Sequence, residues 1–198
     1  MTSDVDDPII NIAGERVALG PLRPDHLPHY QRWLNDFGVI RTLMRPPAPM
    51  TTEQTQSWVA RHTGDEHSTA FTIYEASGRR PIGNTALINV DSRNRSAMFA
   101  ILIGDADNRG HGYGTEATRL MLDYAFTARG FHSVWLVVAE YNHAGRRAYE
   151  KAGFQEVGRR REACWMGGRY WDEITMDCLA TEFTSSLLAR TSARDEPR

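Results

Sequence analysis

The sequence predicts one α/β (α+β) domain in which helices pack against a single mixed β-sheet. Two apolar patterns alternate along the chain: short apolar runs typical of strands, and apolar residues spaced by one helical turn, typical of amphipathic helices. The composition agrees, because 198 residues, 41% hydrophobic and 24% charged, suit one globular domain with its own core. We expect the domain to span residues 9–183. Polar, charged and small residues predict flexible tails at 1–8 and 184–198.

The first third of the chain predicts one strand followed by two helices. Residues 15–22 have the pattern of a strand, and residues 25–35 place their apolar side chains on one helical face. A loop that contains three prolines follows at 36–50. Thr51 and Gln54 have the spacing of a capping box, which predicts a second helix that ends near residue 62.

The middle of the chain predicts three strands in succession, at 69–74, 82–90 and 96–103. Polar turns separate these segments, so the last strand pairs back on the one before it as a hairpin. After the glycine-rich stretch 109–114, apolar residues recur with the helical period as far as about residue 129. A third, long helix is therefore expected there.

The last third predicts three more strands and a short helix. The nearly continuous apolar run at 133–139 is typical of a strand that is buried on both faces. Asn142 can cap a helix that ends at residue 152. Strands at 154–165 and 170–179 then flank a glycine-containing turn. The expected total is seven strands and about four helices.

Composition also excludes several classes of function. The net charge of −2 gives no reason to expect nucleic acid or an anionic membrane as a partner, and no apolar run is long enough to cross a bilayer. The acidic start of the chain argues against a targeting peptide. Cys164 and Cys178 are too few for a disulfide framework, and Cys164 is expected opposite Trp171 rather than Cys178. With so few cysteines and no targeting peptide expected, we expect a reduced, cytoplasmic protein. The histidines do not cluster, so we expect no metal.

One stretch has the composition of a phosphate site: Arg109-Gly110-His111-Gly112-Tyr113-Gly114, between a predicted strand and a predicted helix. Glycines let the backbone approach a ligand closely, and amide groups at a helix N-terminus favour negative charge. The stretch lacks the lysine and hydroxyl residue of a P-loop, and Thr115 replaces the last glycine of a dinucleotide fingerprint. A glycine-rich turn without a ligand is the alternative interpretation.

Together with a second motif, this stretch resembles the acyl-CoA pyrophosphate loop of the GNAT family of N-acetyltransferases. The second motif consists of Asn142, then Tyr149, then Lys151 ahead of Gly153-Phe154. Further segments resemble the branch of ribosomal-protein alanine acetyltransferases and spermidine acetyltransferases. These are Gly14-Glu15-Arg16-Val17, Trp33-Leu34-Asn35-Asp36, and Trp171-Asp172 with Met176.

The resemblance implies a GNAT fold, in which the strands at 96–103 and 133–139 splay apart. Acetyl-CoA would lie in the gap, where its pantetheine arm hydrogen-bonds to exposed backbone. Asn142 is expected to touch the pantetheine or to begin its own helix. The residues expected at acetyl-CoA are Ile101, Leu102, Ile103, Arg109, Gly110, His111, Gly112, Tyr113, Gly114, Asn142 and Lys151.

Direct acetyl transfer needs a neutral amine, a hydrogen-bond donor to the thioester oxygen and an acid for the departing thiolate. The resemblance assigns the acid to Tyr149; a tyrosine of the core is the alternative. Some family members carry a glutamate as base five residues before the asparagine, where this chain has Val137. The sequence therefore does not assign the base. The alternatives are a water relay and four side chains: Glu140, Asp105, Glu116 and His111.

For the acceptor, the resemblance indicates the first helices with their loop and the final hairpin, and we expect Trp33, Asp36, Arg45 and Trp171 to contact it. The predicted function is N-acetylation of a primary amine on a small molecule or a protein N-terminus. A non-catalytic acyl-CoA-binding module is the alternative, and CoA release that depends on an amine would distinguish the two. A homodimer through the last strands is compatible with the resemblance.

Overall fold

The computed structural model describes residues 7–63, 67–185 and 187–188. The strands in these ranges are β1 Ile12–Ala13, β2 Val17–Pro21, β3 Thr69–Glu75, β4 Pro81–Asp91, β5 Ser96–Ile103, β6 Ser133–Ala139, β7 Gln155–Met166 and β8 Arg169–Leu179. They form one eight-stranded sheet in the order β1-β2-β3-β4-β5-β6-β8-β7. The pair β5–β6 is parallel and the other neighbouring pairs are antiparallel.

Five α-helices occur in the described ranges: α1 Leu27–Asn35, α2 Phe37–Ile40, α3 Thr52–His62, α4 Tyr113–Asp123 and α5 His143–Ala152. Short 3₁₀ turns lie at Pro24–His26, Arg41–Leu43 and Ala106–Asn108, and a π-helical turn at Tyr124–Ala128 extends α4. The predicted α/β class is confirmed, and so is the capping box of Thr51 and Gln54 at the start of α3.

The described residues contain one strand and one α-helix more than the seven strands and four helices predicted. The additional strand, β1, has two residues and exists through its pairing with β2, Ile12 opposite Leu19. The additional helix, α2, lies in the predicted loop. Asp36 begins it, because its Oδ1 accepts a hydrogen bond of 2.7 Å from the amide of Gly38. Both are too short to give a periodic signal.

The core has two parts, one on each face of the sheet. Phe99 and Ile101 of β5 belong to the larger cluster, which α4 and α5 cover. Leu102 points to the opposite face because side chains alternate along a strand, and it joins a smaller cluster with Trp33 and other residues of α1–α3. The sheet therefore separates two layers of helices.

The parallel pair β5–β6 diverges, as predicted. The register pairs Ser96 with Ser133 and continues to Met98 with Trp135, where it ends. Beyond that point β6 stays paired with β8, and β5 stays paired with β4 as far as Ile103. Within the described residues, one edge of β5 from residue 99 to 103 thus faces a gap instead of a strand.

Part of the predicted C-terminal tail contacts the end of α4. The Ser185 hydroxyl donates to Oδ1 of Asp123 at 2.6 Å, and the amides of Leu187 and Leu188 donate to Oδ2. Residues 1–6, 186 and 189–198 of the predicted tails lie outside the described residues. Of the helices described, none has the length and apolar character that a membrane span requires.

Candidate active site

A cleft of about 410 Å³ opens where β5 and β6 diverge. It brings together ten of the predicted site residues: Ile101, Ile103, Arg109, Gly110, Gly112, Tyr113, Gly114, Asn142, Tyr149 and Lys151. Its floor is the face of β5, and the glycine-rich stretch and α5 form its sides. Thr42, Asn108, Thr115, Ala144, Gly145, Arg147 and Ala148 complete its lining.

The glycine-rich stretch has the backbone of an anion-binding loop. Gly110 and Gly112 both have φ +82°, a left-handed conformation that glycine adopts without the strain a Cβ would add. Gly112 is the N-cap of α4, and no side chain of the described residues caps that end. The first amides of α4 are therefore available to a ligand, and the helix dipole favours an anion there.

Positive charge surrounds the cleft. Arg109, Arg147 and Lys151 line it, and its lining contains no aspartate or glutamate among the described residues. Arg109 also braces the loop, because its Nη2 donates to the carbonyl of Gly104 at 3.1 Å. Such a lining attracts a ligand with several negative charges.

Tyr149 combines the two interpretations left open by the sequence. Its ring packs edge-on against Phe99 and Phe154, with 6.1 Å between ring centroids in both pairs. Tyr149 also lines the cleft, and its hydroxyl forms no hydrogen bond with the described residues. Burial raises the pKa of Tyr149 to about 12, so the hydroxyl is a protonated donor at neutral pH.

Asn142 begins the helix that carries Tyr149. Its Oδ1 accepts a hydrogen bond of 3.0 Å from the amide of Gly145, which makes it the N-cap of α5. Gly145 has to lack a side chain, because a Cβ there would lie 2.7 Å from Nδ2 of Asn142. The predicted capping role is therefore present, and contact with pantetheine stays a prediction.

Two predicted acetyl-CoA residues point away from the cleft. The side chain of Leu102 is buried on the other face of the sheet, although its backbone belongs to the free edge of β5. His111 is exposed, and its carbonyl accepts from Nη1 of Arg16 at 3.0 Å. A separate surface depression next to Tyr113 contains the His111 side chain.

The four predicted acceptor residues do not share a pocket. Trp33 is 1% exposed, and Nε1 of its indole has no hydrogen-bond partner among the described residues. Asp36 caps α2. Arg45 lines a different cleft of about 390 Å³ beside α3. Trp171 is half-buried in the final hairpin, where its Nε1 donates to the carbonyl of Met166 at 3.0 Å.

Three of the four side chains considered as a base form hydrogen bonds or ion pairs elsewhere. Glu116 accepts from the amides of Glu15 and Arg16, at 2.6 and 2.9 Å. Asp105 pairs with Arg32 at 2.9 Å, and Glu140 pairs with Arg159 at 3.0 Å. None of these three carboxylates lines the cleft, and neither does His111.

Sequence reasoning missed Arg147 and Tyr141. Arg147 lies one helical turn before Lys151 and lines the same cleft, so the spacing of two basic residues could have indicated it. Tyr141 directly precedes Asn142, and its hydroxyl donates to the carbonyl of Arg41 at 2.6 Å. Nothing local predicts that contact, because the two residues are a hundred positions apart.

A family model described as "Acetyltransferase (GNAT) domain" matches residues 16–155. The chain belongs to the GNAT family. Among its GNAT relatives, spermidine N(1)-acetyltransferase of Vibrio cholerae serotype O1 is 32% identical over 123 residues, which are 62% of this chain and 70% of the relative. Spermidine N(1)-acetyltransferase of Escherichia coli K12 is 27% identical over 160 residues, 81% of this chain and 84% of the relative.

The GNAT fold is also found in the crystal structure of spermidine N-acetyltransferase from Vibrio cholerae in complex with CoA and spermine. That structure matches with a TM-score of 0.78 and 25% identity, over 85% of this chain and 98% of the other. These findings confirm the predicted fold and co-substrate, and the chain is an acetyl-CoA-dependent N-acetyltransferase. They do not support the alternative of a non-catalytic binding module.

The cleft of this GNAT enzyme fits acetyl-CoA. The free edge of β5 offers backbone groups to a pantetheine arm, and the first amides of α4 suit a diphosphate. The three basic residues match the charge of the nucleotide end. Bound acetyl-CoA supplies a thioester carbon that an amine attacks. No group of three or more potential metal ligands occurs in the parts of the chain that the structure describes, and metal-free catalysis stays a prediction.

Proposed function

We propose that this enzyme acetylates the primary amine of a small molecule by direct transfer, with Tyr149 as the general acid. The observation that carries the proposal is the place of Tyr149 in the lining of the acetyl-CoA cleft, with no hydrogen bond from its hydroxyl to the described residues. A protonated phenol can donate to the sulfur while the C–S bond breaks. No side-chain nucleophile is needed, because alignment of the amine with the thioester carbon supplies much of the acceleration.

The proton balance of this step involves three places. The amine loses one proton to solvent before or during attack, and its nitrogen forms the new C–N bond. We assign that proton to water, because the cleft lining contains no carboxylate or histidine among the described residues. We assign the hydrogen bond to the thioester oxygen to amides at the free edge of β5, where the pairing with β6 has ended. Tyr149 gives its proton to the thiolate as the C–S bond breaks, and its phenolate then takes a proton back from solvent, which balances the proton that the amine lost.

Charge on the acceptor side favours an amine with few positive charges. Glu140 and Asp172 both pair with Arg159, and Glu173 pairs with Arg160. To bind these carboxylates, a polyamine would have to displace the guanidinium groups of Arg159 and Arg160. Polyamines are the second candidate class, because relatives of this chain are named spermidine N(1)-acetyltransferases.

Other parts of the acceptor prediction remain open to test. Trp171 is the predicted acceptor residue best placed for the role, because its ring lies 5.1 Å from that of Tyr141, next to the cleft residue Asn142. Contacts of Trp33, Asp36 and Arg45 with the acceptor stay predictions. A protein N-terminus as acceptor, a homodimer and a cytoplasmic location also stay predictions.

The test is a panel of amines incubated with the enzyme and acetyl-CoA while free thiol is measured. The panel contains aromatic and aliphatic monoamines, amino acid amides, spermidine, spermine and a short peptide with a free N-terminus. We expect thiol release that depends on a monoamine, with the acetylated amine detected by mass spectrometry. Faster turnover of spermidine or the peptide would change the acceptor class, and no release with any amine would contradict the function.

Tyr149→Phe tests the role of the acid in the same assay. We expect turnover to fall by about 10²-fold while the affinity for CoA, measured by calorimetry, stays the same. Tyr170→Phe is the matched control, because Tyr170 is an exposed tyrosine that does not line the cleft. Unchanged turnover in Tyr149→Phe would remove this residue from the mechanism.

A further inference from the structure

Tyr141 connects three segments that meet beside the acetyl-CoA cleft. It is the second residue after the end of β6, and its hydroxyl donates to the carbonyl of Arg41 in the 3₁₀ turn Arg41–Leu43. Its ring lies edge-on to Trp171 of β8, with 5.1 Å between centroids. Its hydroxyl is also 3.9 Å from Sγ of Cys164 in β7. One side chain thus links the 3₁₀ turn to the diverging part of the sheet.

Few side-chain hydrogen bonds join the 3₁₀ turn to the rest of the domain, although Leu43 packs against the smaller core cluster. The hydroxyl of Thr42 donates to the carbonyl of Val39, which is a local contact within the same segment. Between residues 41 and 43, the bond from Tyr141 is the one side-chain hydrogen bond to a distant element among the described residues. The Arg41 guanidinium adds a cation–π contact, 5.4 Å from the centroid of the Tyr141 ring.

The 3₁₀ turn matters because Thr42 lines the same acetyl-CoA cleft as the glycine-rich stretch. We propose that Tyr141 is a positioning residue that holds residues 41–43 in place as a wall of this cleft. The role is independent of the identity of the acceptor. Tyr141 touches neither the glycine-rich stretch nor Tyr149, so it acts through Arg41 and Thr42.

The chemistry of Tyr141 suits a permanent donor. Burial is the main cause that raises the pKa of Tyr141 to about 12, and the nearby thiol of Cys164 acts in the same direction. The hydroxyl therefore keeps its proton across the working range of pH. A tyrosine ring has few rotatable bonds, so the donor is already oriented towards the carbonyl of Arg41 before a ligand arrives.

Limited trypsin digestion tests the proposal without an acceptor. The bond that trypsin would cut after Arg41 contains the very carbonyl that accepts from Tyr141, whereas Arg45 precedes Pro46, a poor site for trypsin. We expect Tyr141→Phe to be cut after Arg41 several-fold faster than the wild type, with the site identified by mass spectrometry. CoA should protect the wild type more strongly than the variant.

Three further measurements separate positioning from a general loss of structure. Tyr141→Phe keeps the ring, so its melting temperature should stay close to that of the wild type. Its affinity for CoA should fall by about threefold to tenfold, as expected for one lost hydrogen bond. KM for acetyl-CoA should rise by a similar factor with little change in kcat.

Three other variants make the outcome decisive. Tyr170→Phe should leave cutting and CoA affinity unchanged. Thr42→Ala should weaken CoA binding without faster cutting after Arg41, because it keeps the bond from Tyr141. Tyr149→Phe should lower kcat alone, so that failure of the proposed acid can be told from failure of the positioning role. If Tyr141→Phe is cut at the wild-type rate and binds CoA equally well, the proposal is wrong.

Discussion

Tyr149 packs against the core and also lines the cleft, and for this reason we propose a chemical role for it. Its ring contacts Phe99 and Phe154. Burial disfavours the phenolate, and it raises the pKa of Tyr149 from the usual value to about 12. The same burial that stabilises the core thus keeps the hydroxyl of the proposed acid protonated.

The pH dependence of kcat should show this shift. A raised pKa moves the loss of the proton to higher pH, so the acid is present at all pH values below the shifted pKa. We expect kcat to rise as the amine is deprotonated and to show no decline below about pH 10, the ordinary pKa of tyrosine. Rates from pH 6 to 10.5 with a fixed amine would show it. A descending limb near pH 8 or 9 would contradict Tyr149 as the acid.

A substitution at Gly114 can separate an effect on stability from an effect on CoA binding. It lies in the first turn of α4 without a positive φ, and a Cβ there would come no closer than 3.9 Å to Ile103. We expect Gly114→Ala to leave the free energy of unfolding unchanged or to raise it by up to ~1 kcal/mol, because alanine favours helix. The added methyl group would nevertheless enter the cleft, so the affinity for CoA should fall.

Calorimetry with CoA and thermal unfolding of the free enzyme measure the two effects of Gly114→Ala. Gly78→Ala is the matched control, since a Cβ at Gly78 also has room but faces a turn outside the cleft. Equal CoA affinity in the Gly114 variant and the wild type would mean that no ligand approaches the start of α4.

Among the elements, α5 depends most clearly on one residue. Asn142 caps it, and Tyr149 and Lys151 of the same helix line the cleft. We expect Asn142→Ala to lower the free energy of unfolding by about 1 kcal/mol, because the amide of Gly145 loses its acceptor. Asn142→Ser should restore most of this stability, since serine is also a good N-cap.

CoA affinity in these two variants then distinguishes capping from direct contact. If the cap is the main role of Asn142, the affinity should fall in Asn142→Ala and recover in Asn142→Ser. Calorimetry and urea unfolding give the two quantities. An affinity that stays low in the stable serine variant would instead indicate that the amide itself touches pantetheine.

How well an element could be predicted depended on how local its signal is. The glycine-rich stretch and the cap at Asn142 were predictable because a few consecutive residues determine each. β1 and α2 were missed because a strand of two residues depends on its partner and a single turn has no period. The bond from Tyr141 to Arg41 joins distant segments, so only the folded chain shows it.

The predicted acceptor residues are the part of the site that the structure does not bring together, for a similar reason. An aromatic residue near a helix end suits a binding wall and a core equally well in a sequence. Trp33 packs against Gly104, where no side chain fits, so its environment is that of the core. Whether a side chain faces the core or the cleft depends on the rotation of its helix, which the pattern alone does not determine.

For the molecule as a whole, the divergence of β5 and β6 is the feature that the function depends on. It opens an edge of the sheet between two layers of helices. The glycine-rich stretch, the basic residues and α5 all lie around this opening. Bound CoA should therefore contact β5, the glycine-rich stretch and α5 at the same time.

Thermal protection by CoA tests this arrangement in the intact enzyme. A ligand at a hundred times its Kd that binds only the folded state stabilises it by about 2.7 kcal/mol. For a domain of this size we expect the melting temperature to rise by roughly 5–10 °C. Dephospho-CoA, which keeps the diphosphate, should protect nearly as well, and pantetheine should protect little at equal concentration. Equal protection by pantetheine would show that the amides of α4 do not bind the diphosphate, because the basic lining and the helix N-terminus would then contribute nothing to affinity.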